Sequence, residues 1–276
     1  MDPRYLFLTG EPRVLLPILR ERPHWAPVLS AITFDVKAGR LHRRRSATDD
    51  FRGAIYFADV RDKDIERHNL RTLATNEIPC WPDPNTLLGA SDRHASLARC
   101  VDAGLVDHRV VQSEFSKTPA LPFPYVLKIG EEHRGEGKFL IRSAADIPPW
   151  DGIATMEPFF EGESARVLVL GERAFGVRIH NEGSWIKNAP GATLEAWEPP
   201  SAIADHARRA ARLFGLEIAG VDYVIGAGSS HFIELNPFPR VGISKESAEI
   251  ASGMFLRAME VIEAAADHLG ARNPRI

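Results

Sequence analysis

Three stretches of the chain carry residue types and spacings that can do chemistry. The sharpest is Asp222, followed by Glu234-Leu235-Asn236. The apolar runs Val221 to Ile225 and Phe232 to Leu235 read as strands. Between them lies the turn-rich linker Gly226-Ala227-Gly228-Ser229-Ser230, which suits an antiparallel hairpin. Residues two apart on a strand project from one face, so Glu234 and Asn236 share theirs, and Asp222 can reach it from the neighbouring strand. Two carboxylates and an amide oxygen make a hard oxygen site. Mg2+ favours such a site when phosphate oxygens complete its octahedron. An isolated E-x-N is equally at home on a solvent-facing strand. The apolar flanks and the Pro237-Phe238-Pro239 ending set this one apart.

The second stretch is Tyr125 to Ile129, with Lys128 near its end, then Gly135-Glu136-Gly137-Lys138. A lysine ending a strand reaches phosphate as a point charge. A glycine-bearing turn lets backbone N–H groups approach phosphate oxygens closely. A plain hairpin also explains G-x-G; the pairing of lysine strand and glycine turn is the more telling feature. The third stretch runs from Met156 to Gly171, where an acidic, aromatic segment leads through Gly162 into a strand headed by Arg166.

These residues need elements to position them. Tyr5 to Leu8, Val28 to Phe34 and Ala54 to Ala58 are apolar runs of strand length, with a helical stretch over Val14 to Arg20. The alternation predicts an open, parallel α/β layer. No glycine-rich loop follows the first strand, so a dinucleotide fingerprint is absent. The basic cluster Arg40 to Arg45 reads as a solvated loop. Prolines at Cys80 to Asn85 predict a break, and Ser91 a cap for a helix running to Ala103 and stopped by Gly104. Thr118 to Pro124 reads as a hinge. Strands are expected at Tyr125–Ile129, Lys138–Arg142, Ala154–Phe160, Arg166–Leu170, Ala174–Ile179, Ala219–Ile225 and His231–Leu235. Helices are expected over Ser201 to Phe214 and Lys245 to Leu269.

Composition excludes several classes. With 44% hydrophobic and 26% charged residues, the chain matches a folded globular protein rather than a disordered or fibrous one. The net charge of −3 lacks the basic excess of a dedicated nucleic-acid binder. Cys80 and Cys100 make no disulfide framework, and Cys100 reads as inert core. No apolar run approaches the roughly 20 residues of a membrane helix, nor the start a signal-peptide core. A cytoplasmic protein without nucleic-acid or membrane partners is the expectation. His94, His108, His133 and His206 show no spacing of a metal site, and Trp150 and Trp197 read as packing anchors. His180, Asn181 and Glu182 read as a polar turn.

Taken in order, the lysine strand, glycine loop, hinge, arginine strand and D-x(11)-E-x-N resemble the ATP-grasp superfamily. Within it the ribosomal-protein-S6-modifying and glutathione-synthetase-like carboxylate–amine ligases are most similar. The resemblance spans about Leu87 to Gly242. It implies an α/β and α+β fold: an amino-terminal α/β domain over 1–86, then an ATP-grasp small lobe over 87–156. A large lobe with the metal site follows over 157–276, and the two α+β lobes clasp ATP. It implies an ATP-dependent ligase forming a C–N bond through an acyl phosphate, releasing ADP and phosphate. The substrates would be small molecules, amino acids or peptides, and a homo-oligomer is compatible. Other functions on this scaffold are a non-catalytic ATP-binding regulatory module and an ATP-dependent kinase.

The resemblance also implies roles for residues. Lys128 would bind phosphate, Gly135 and Gly137 would form the loop over it, and Arg93 stands for the lysine that opens the ATP-binding lobe. Glu157 and Phe159 would offer backbone groups to adenine, Glu163 would hold the ribose hydroxyls, and Asn188 would lie in the family's asparagine segment. Asp222, Glu234 and Asn236 would ligate a pair of Mg2+ ions, or Mn2+, with Glu234 as the bridge. Arg166 and Arg178 would face the transferred phosphate and the acceptor. The chain departs from the pattern at Arg93, at Ala192 after Gly191, and at Pro237-Phe238-Pro239-Arg240, which places bulk and Arg240 beside the expected reaction centre.

Overall fold

The computed structural model describes residues 4–10, 12–28, 33–37, 40–43, 50–60, 62–114, 121–130, 137–150, 152–181, 183–186 and 191–272. They form two compact units, Met1–Gly89 with Pro237–Ile276, and Ala90–Asn236.

The first unit opens with β1 (Tyr5–Thr9), α1 (Pro12–Arg20), β2 (Trp25–Val28), β3 (Phe34–Lys37), β4 (Arg40–Arg43), β5 (Ala54–Phe57), α2 (Lys63–Thr75), β6 (Cys80–Trp81) and α3 (Pro84–Ser91). Strands β2-β1-β5-β6 make a parallel sheet, as the alternation of strand and helix predicts. Both β1 and β5 are buried along their whole length. That is the signature of a parallel strand covered on both faces.

One expectation fails here. Arg40–Arg43 is not a loop but pairs antiparallel with β3. Leu41 is the reason: it is fully buried and exchanges two 2.8 Å backbone hydrogen bonds with Phe51. One apolar residue thus draws a basic segment into a sheet; Arg44 and Arg45 lie outside the described residues. The break expected over Cys80 to Asn85 falls at Pro82-Asp83, between the short strand β6 and the start of α3. Proline is tolerated in a helix's first turn, where its missing N–H has no partner to lose. Helix α2, which periodicity alone leaves unassigned, is capped by Asp62, whose side chain accepts from the N–H of Asp64 and Ile65.

The second unit contains α4 (Arg93–Asp102), β7 (Val111–Glu114), β8 (Tyr125–Ile129), β9 (Lys138–Ile141), β10 (Ile153–Pro158), β11 (Glu163–Leu170), β12 (Arg173–His180), β13 (Thr193–Trp197), α5 (Ser201–Leu213), β14 (Ile218–Ile225) and β15 (Ser230–Asn236). Two antiparallel sheets result, β7-β10-β8-β9 and β13-β12-β11-β14-β15. Asp92, not Ser91, caps α4, accepting from the Ala95 N–H; Ser91 ends α3. Helix α5 buries Ala204, Ala207, Ala210 and Ala211 along one stripe. Gly215 follows it in the left-handed region, at φ 68°, where a Cβ would be strained. Edge strand β13 is mostly exposed and carries no apolar run that would announce it.

The chain returns to the first unit with α6 (Lys245–Arg272). Its Phe255 packs edge-on against Phe7, Phe57 and Trp81 at 5.1–5.7 Å between ring centroids. Glu263 of the same helix accepts from Trp25 Nε1 at 2.7 Å and lies 2.8 Å from His24 Nε2. Burial would raise the Glu263 carboxyl, but the Trp25 and His24 contacts and nearby Arg22 hold it below the usual glutamate range. No described helix is long and apolar enough to cross a membrane.

Candidate nucleotide site

The first sheet of the second unit sorts its side chains by the two-residue period of a strand. Tyr125, Leu127, Ile141, Ala154 and Met156 point to one side and join Leu121 in a core, against which Trp150 packs. Lys128 sits opposite Thr155 on one neighbour and Lys138 on the other, and Glu157 opposite Val126. These residues share the other side. Val126, Lys128, Lys138 and Glu157 line a cavity of about 490 Å³ there.

Lys128 Nζ donates to Glu157 Oε1 at 2.5 Å, and both side chains are 4% exposed or less. Burial alone would raise the Glu157 carboxyl. Lys128, with His108 beside it, outweighs burial and holds the group below its usual range.

The second sheet supplies the opposite wall. Register places Arg166 across from Asp222, and Asp222 across from Glu234. Arg166 Nε and Nη2 donate to the two Asp222 oxygens at 2.6 and 2.8 Å, a forked pair. Burial opposes the Arg166 charge, and Asp222 more than restores it, raising the guanidinium pKa. A β-bulge at Asp222/Tyr223 shifts the hairpin register next to this pair. Lys138 Nζ and Arg93 Nε stand 4.0 and 3.9 Å from Glu234 Oε2. Lys138 above all holds the Glu234 carboxyl far below its usual range; burial opposes it, and Arg93, Lys128 and Arg166 add to it. Glu234 in turn favours the Lys138 charge, but burial and the cations Lys128 and Arg93 bring that ammonium below its usual pKa.

Arg93, Lys128, Lys138 and Arg166 therefore surround Glu157, Asp222 and Glu234. Lys128 and Lys138 bring two ammonium groups to the cavity wall itself, where an anion can meet them. Phe159, Phe160, Trp185 and Ile186 add apolar lining to the same cavity. A Cβ on Gly162 would stand 2.4 Å from the Ile225 carbonyl oxygen, so only glycine lets this segment lie against the end of β14.

Not every sequence-predicted residue reaches the cavity. Glu163 and Arg178 pair with each other at 2.8 Å on the opposite face of the second sheet, because Arg178 registers with Ala165 rather than Arg166. Arg178 also lies 5.7 Å from the Trp197 ring. The Phe159 N–H is given to the Pro124 carbonyl at 3.2 Å, and the Glu157 side chain to Lys128. Asn236 shares the strand face of Glu234 and registers with Gly220. The Gly137 carbonyl accepts from the Ile129 N–H at 2.8 Å, next to the first residue of β9. Arg240 is exposed and belongs to the first unit. Gly135 and Asn188 lie outside the described residues. Lys138, quoted in the sequence only as the end of the glycine turn, joins the site because it registers with Lys128. Phe160 joins it from the aromatic hinge segment.

The chain has the fold of solved ATP-grasp ligases. The chain superposes on the ATP-grasp ligase PsnB, complexed with a phosphomimetic variant of its minimal precursor, Mg and ADP. The TM-score is 0.61 at 17% identity, covering 95% of this chain and 100% of that one. Against D-alanine–D-alanine ligase from Bacillus anthracis complexed with ATP the TM-score is 0.61 at 13% identity, with 99% of each chain covered. A second structure of PsnB, with precursor peptide PsnA2 and AMPPNP, gives 0.60 at 17% identity, covering 94% of this chain and 98% of that one. No protein-family model and no curated protein matches the sequence.

Proposed function

We propose that the protein is an ATP-dependent carboxylate–amine ligase acting on an amino acid or peptide. The observation that carries this is the cavity that Lys128, Lys138, Glu157 and Asp222 line beneath an aromatic wall, with Arg93, Arg166 and Glu234 joined to those residues by charge contacts. Cations would take the phosphates, and Phe159, Phe160 and Trp185 the base. The solved neighbours hold ADP with Mg, ATP, or AMPPNP with a precursor peptide. Within this reading, residues 1–86 form the amino-terminal domain, 87–156 the small lobe and 157–276 the large lobe.

The donor set suits Mg2+. Glu234 is kept ionised by its cations, and Asn236 shares its face. Both Asp222 oxygens accept from Arg166, and a carboxylate oxygen can serve more than one partner. Glu234, Asn236 and Asp222 would hold the ion, which supplies charge neutralisation between phosphate oxygens. The chain's own residues position the rest. Lys128 and Lys138 would orient the phosphates, and Arg166, fixed by its fork to Asp222, would face the transferring group. The γ-phosphoryl group would move to the substrate carboxylate, ADP would leave, and an amine would attack the acyl carbon, expelling phosphate. Such transfer depends chiefly on positioning and electrostatics.

Arg240, four residues after Asn236, would face the acceptor or donor pocket. Glu163 and Arg178 face away from this cavity, so ribose and acceptor contacts fall to other residues. The test is hydroxylamine trapping over a panel of amino-acid and peptide carboxylates, with ADP and AMP quantified. Hydroxamate with ADP supports the ligase; hydroxamate with AMP replaces the acyl phosphate by adenylation. ATP binding without turnover on any carboxylate favours a regulatory module.

A further inference from the structure

Asp107 and His108 lie between α4 and β7, and His231 near the start of β15. No motif spacing links them; the fold of the second unit brings them together. One ligating atom from each lies within 4.8 Å of the other two. Asp107 Oδ1 is 3.2 Å from His108 Nδ1, and Asp107 Oδ2 is 3.5 Å from His231 Nδ1. In a tetrahedral zinc site with bonds of about 2.0–2.1 Å, neighbouring ligand atoms stand about 3.3 Å apart. Each Asp107 oxygen thus stands at about that distance from one imidazole, so the two rings flank a single carboxylate and small side-chain rotations would bring one atom of each onto a shared ion.

The rings are also held in place. His231 stacks on Phe160 with centroids 3.8 Å apart and planes 10° from parallel, and His108 meets the same ring edge-on at 4.8 Å. The His108 side chain is only 6% exposed. His108 Nε2 and His231 Nδ1 are buried and lack a hydrogen-bond partner among the described residues. A buried ring nitrogen left unpaired costs on the order of 1–3 kcal/mol, so something should take it. If Nδ1 of His108 ligates a metal, the neutral ring carries its proton on Nε2. That nitrogen lies 3.7 Å from Glu157 Oε2, just beyond hydrogen-bond reach, and closing this gap would give the carboxylate–histidine–metal arrangement that orients metal-bound imidazoles. Asp107 is 61% exposed and leaves an approach from solvent.

We propose that Asp107, His108 and His231 bind one zinc-class divalent ion, with Glu157 as the outer partner of His108. Two imidazoles and a carboxylate are zinc ligands, whereas Mg2+ takes oxygen. This site is therefore chemically distinct from that of Asp222, Glu234 and Asn236. Because Glu157 also takes Lys128, the ion would adjoin the wall of the nucleotide cavity.

The test needs no nucleotide, so it stands apart from the ligase proposal. Chelator-treated, tag-free protein is titrated with Zn2+ by calorimetry and with Co2+ by visible absorption. One ion per chain is expected, with the d–d bands of four-coordinate Co2+ and a rise in melting temperature on adding Zn2+. His231→Ala should weaken binding by at least about tenfold, the lower end of what even an outer partner contributes. Asp107→Asn, at a largely exposed position that leaves the fold intact, should remove the zinc-dependent rise in melting. No stoichiometric binding, or binding unchanged in both variants, would overturn the site and leave a carboxylate lying between two imidazoles.

Discussion

Replacing Glu157 by Gln isolates the energetics of the buried Lys128–Glu157 pair. Gln keeps the shape and an acceptor oxygen but removes the charge, leaving the Lys128 ammonium 4% exposed without its counter-ion. Removing one partner of a buried ion pair costs about 3–5 kcal/mol, because the remaining charge is desolvated and uncompensated. Gln still accepts a hydrogen bond, so the lower end, about 3 kcal/mol, is expected. For a unit of this size about 1 kcal/mol moves Tm by roughly 2–4 °C, so the loss should be about 6–12 °C. Lys128→Met should cost a similar amount, somewhat offset because His108 lies 3.7 Å from Glu157 Oε2. The double variant Lys128→Met/Glu157→Gln carries neither charge and should recover most of that loss. Urea unfolding of the four proteins, followed by tryptophan fluorescence, closes the cycle. Single variants that each cost less than about 1 kcal/mol, with no recovery in the double variant, would refute a desolvated pair here.

Glu234→Gln should lower kcat for ADP release on the order of a hundredfold or more, if the lost charge stabilised the transition state by about 2.7–4 kcal/mol. Near-normal turnover in the folded variant would remove Glu234 from the mechanism. Lys128→Ala should weaken ATP by about tenfold to a hundredfold, as expected for a charged hydrogen bond of roughly 1.5–3 kcal/mol. Isothermal titration with ATP and Mg2+ checks it, and an unchanged Kd places the phosphates elsewhere. Glu263, whose carboxyl is held below its usual range, binds a proton less readily folded than unfolded. The stability it adds is therefore present at neutral pH and lost as pH falls below about 4.3, the ordinary glutamate value. Wild type should exceed Glu263→Gln in urea midpoint at pH 7, with the gap closing by pH 3. A gap that persists at low pH would mean Glu263 acts through packing.

Local order alone settles much of this protein. A parallel strand covered on both faces must be apolar throughout, which is why Tyr5 to Leu8 and Ala54 to Phe57 are legible as strands. The two-residue period puts Glu234 and Asn236 on one face, and Gly226 to Ser230 turns β14 back on β15. Sequence spacing stops there, because the faces of different strands align only when register is set. Register across β11, β14 and β15 brings Arg166, Asp222 and Glu234 into line. One residue's offset against β12 sends Arg178 to the other side with Glu163. Pairing of β8 with β9 recruits Lys138, which no motif singled out. Asp107, His108 and His231 meet only because β15 returns beside the segment after α4. Residue type and alternation are properties of a few consecutive positions. Which charges end up 3 or 4 Å apart depends on hydrogen-bonded pairing between distant strands, and only the folded chain decides that.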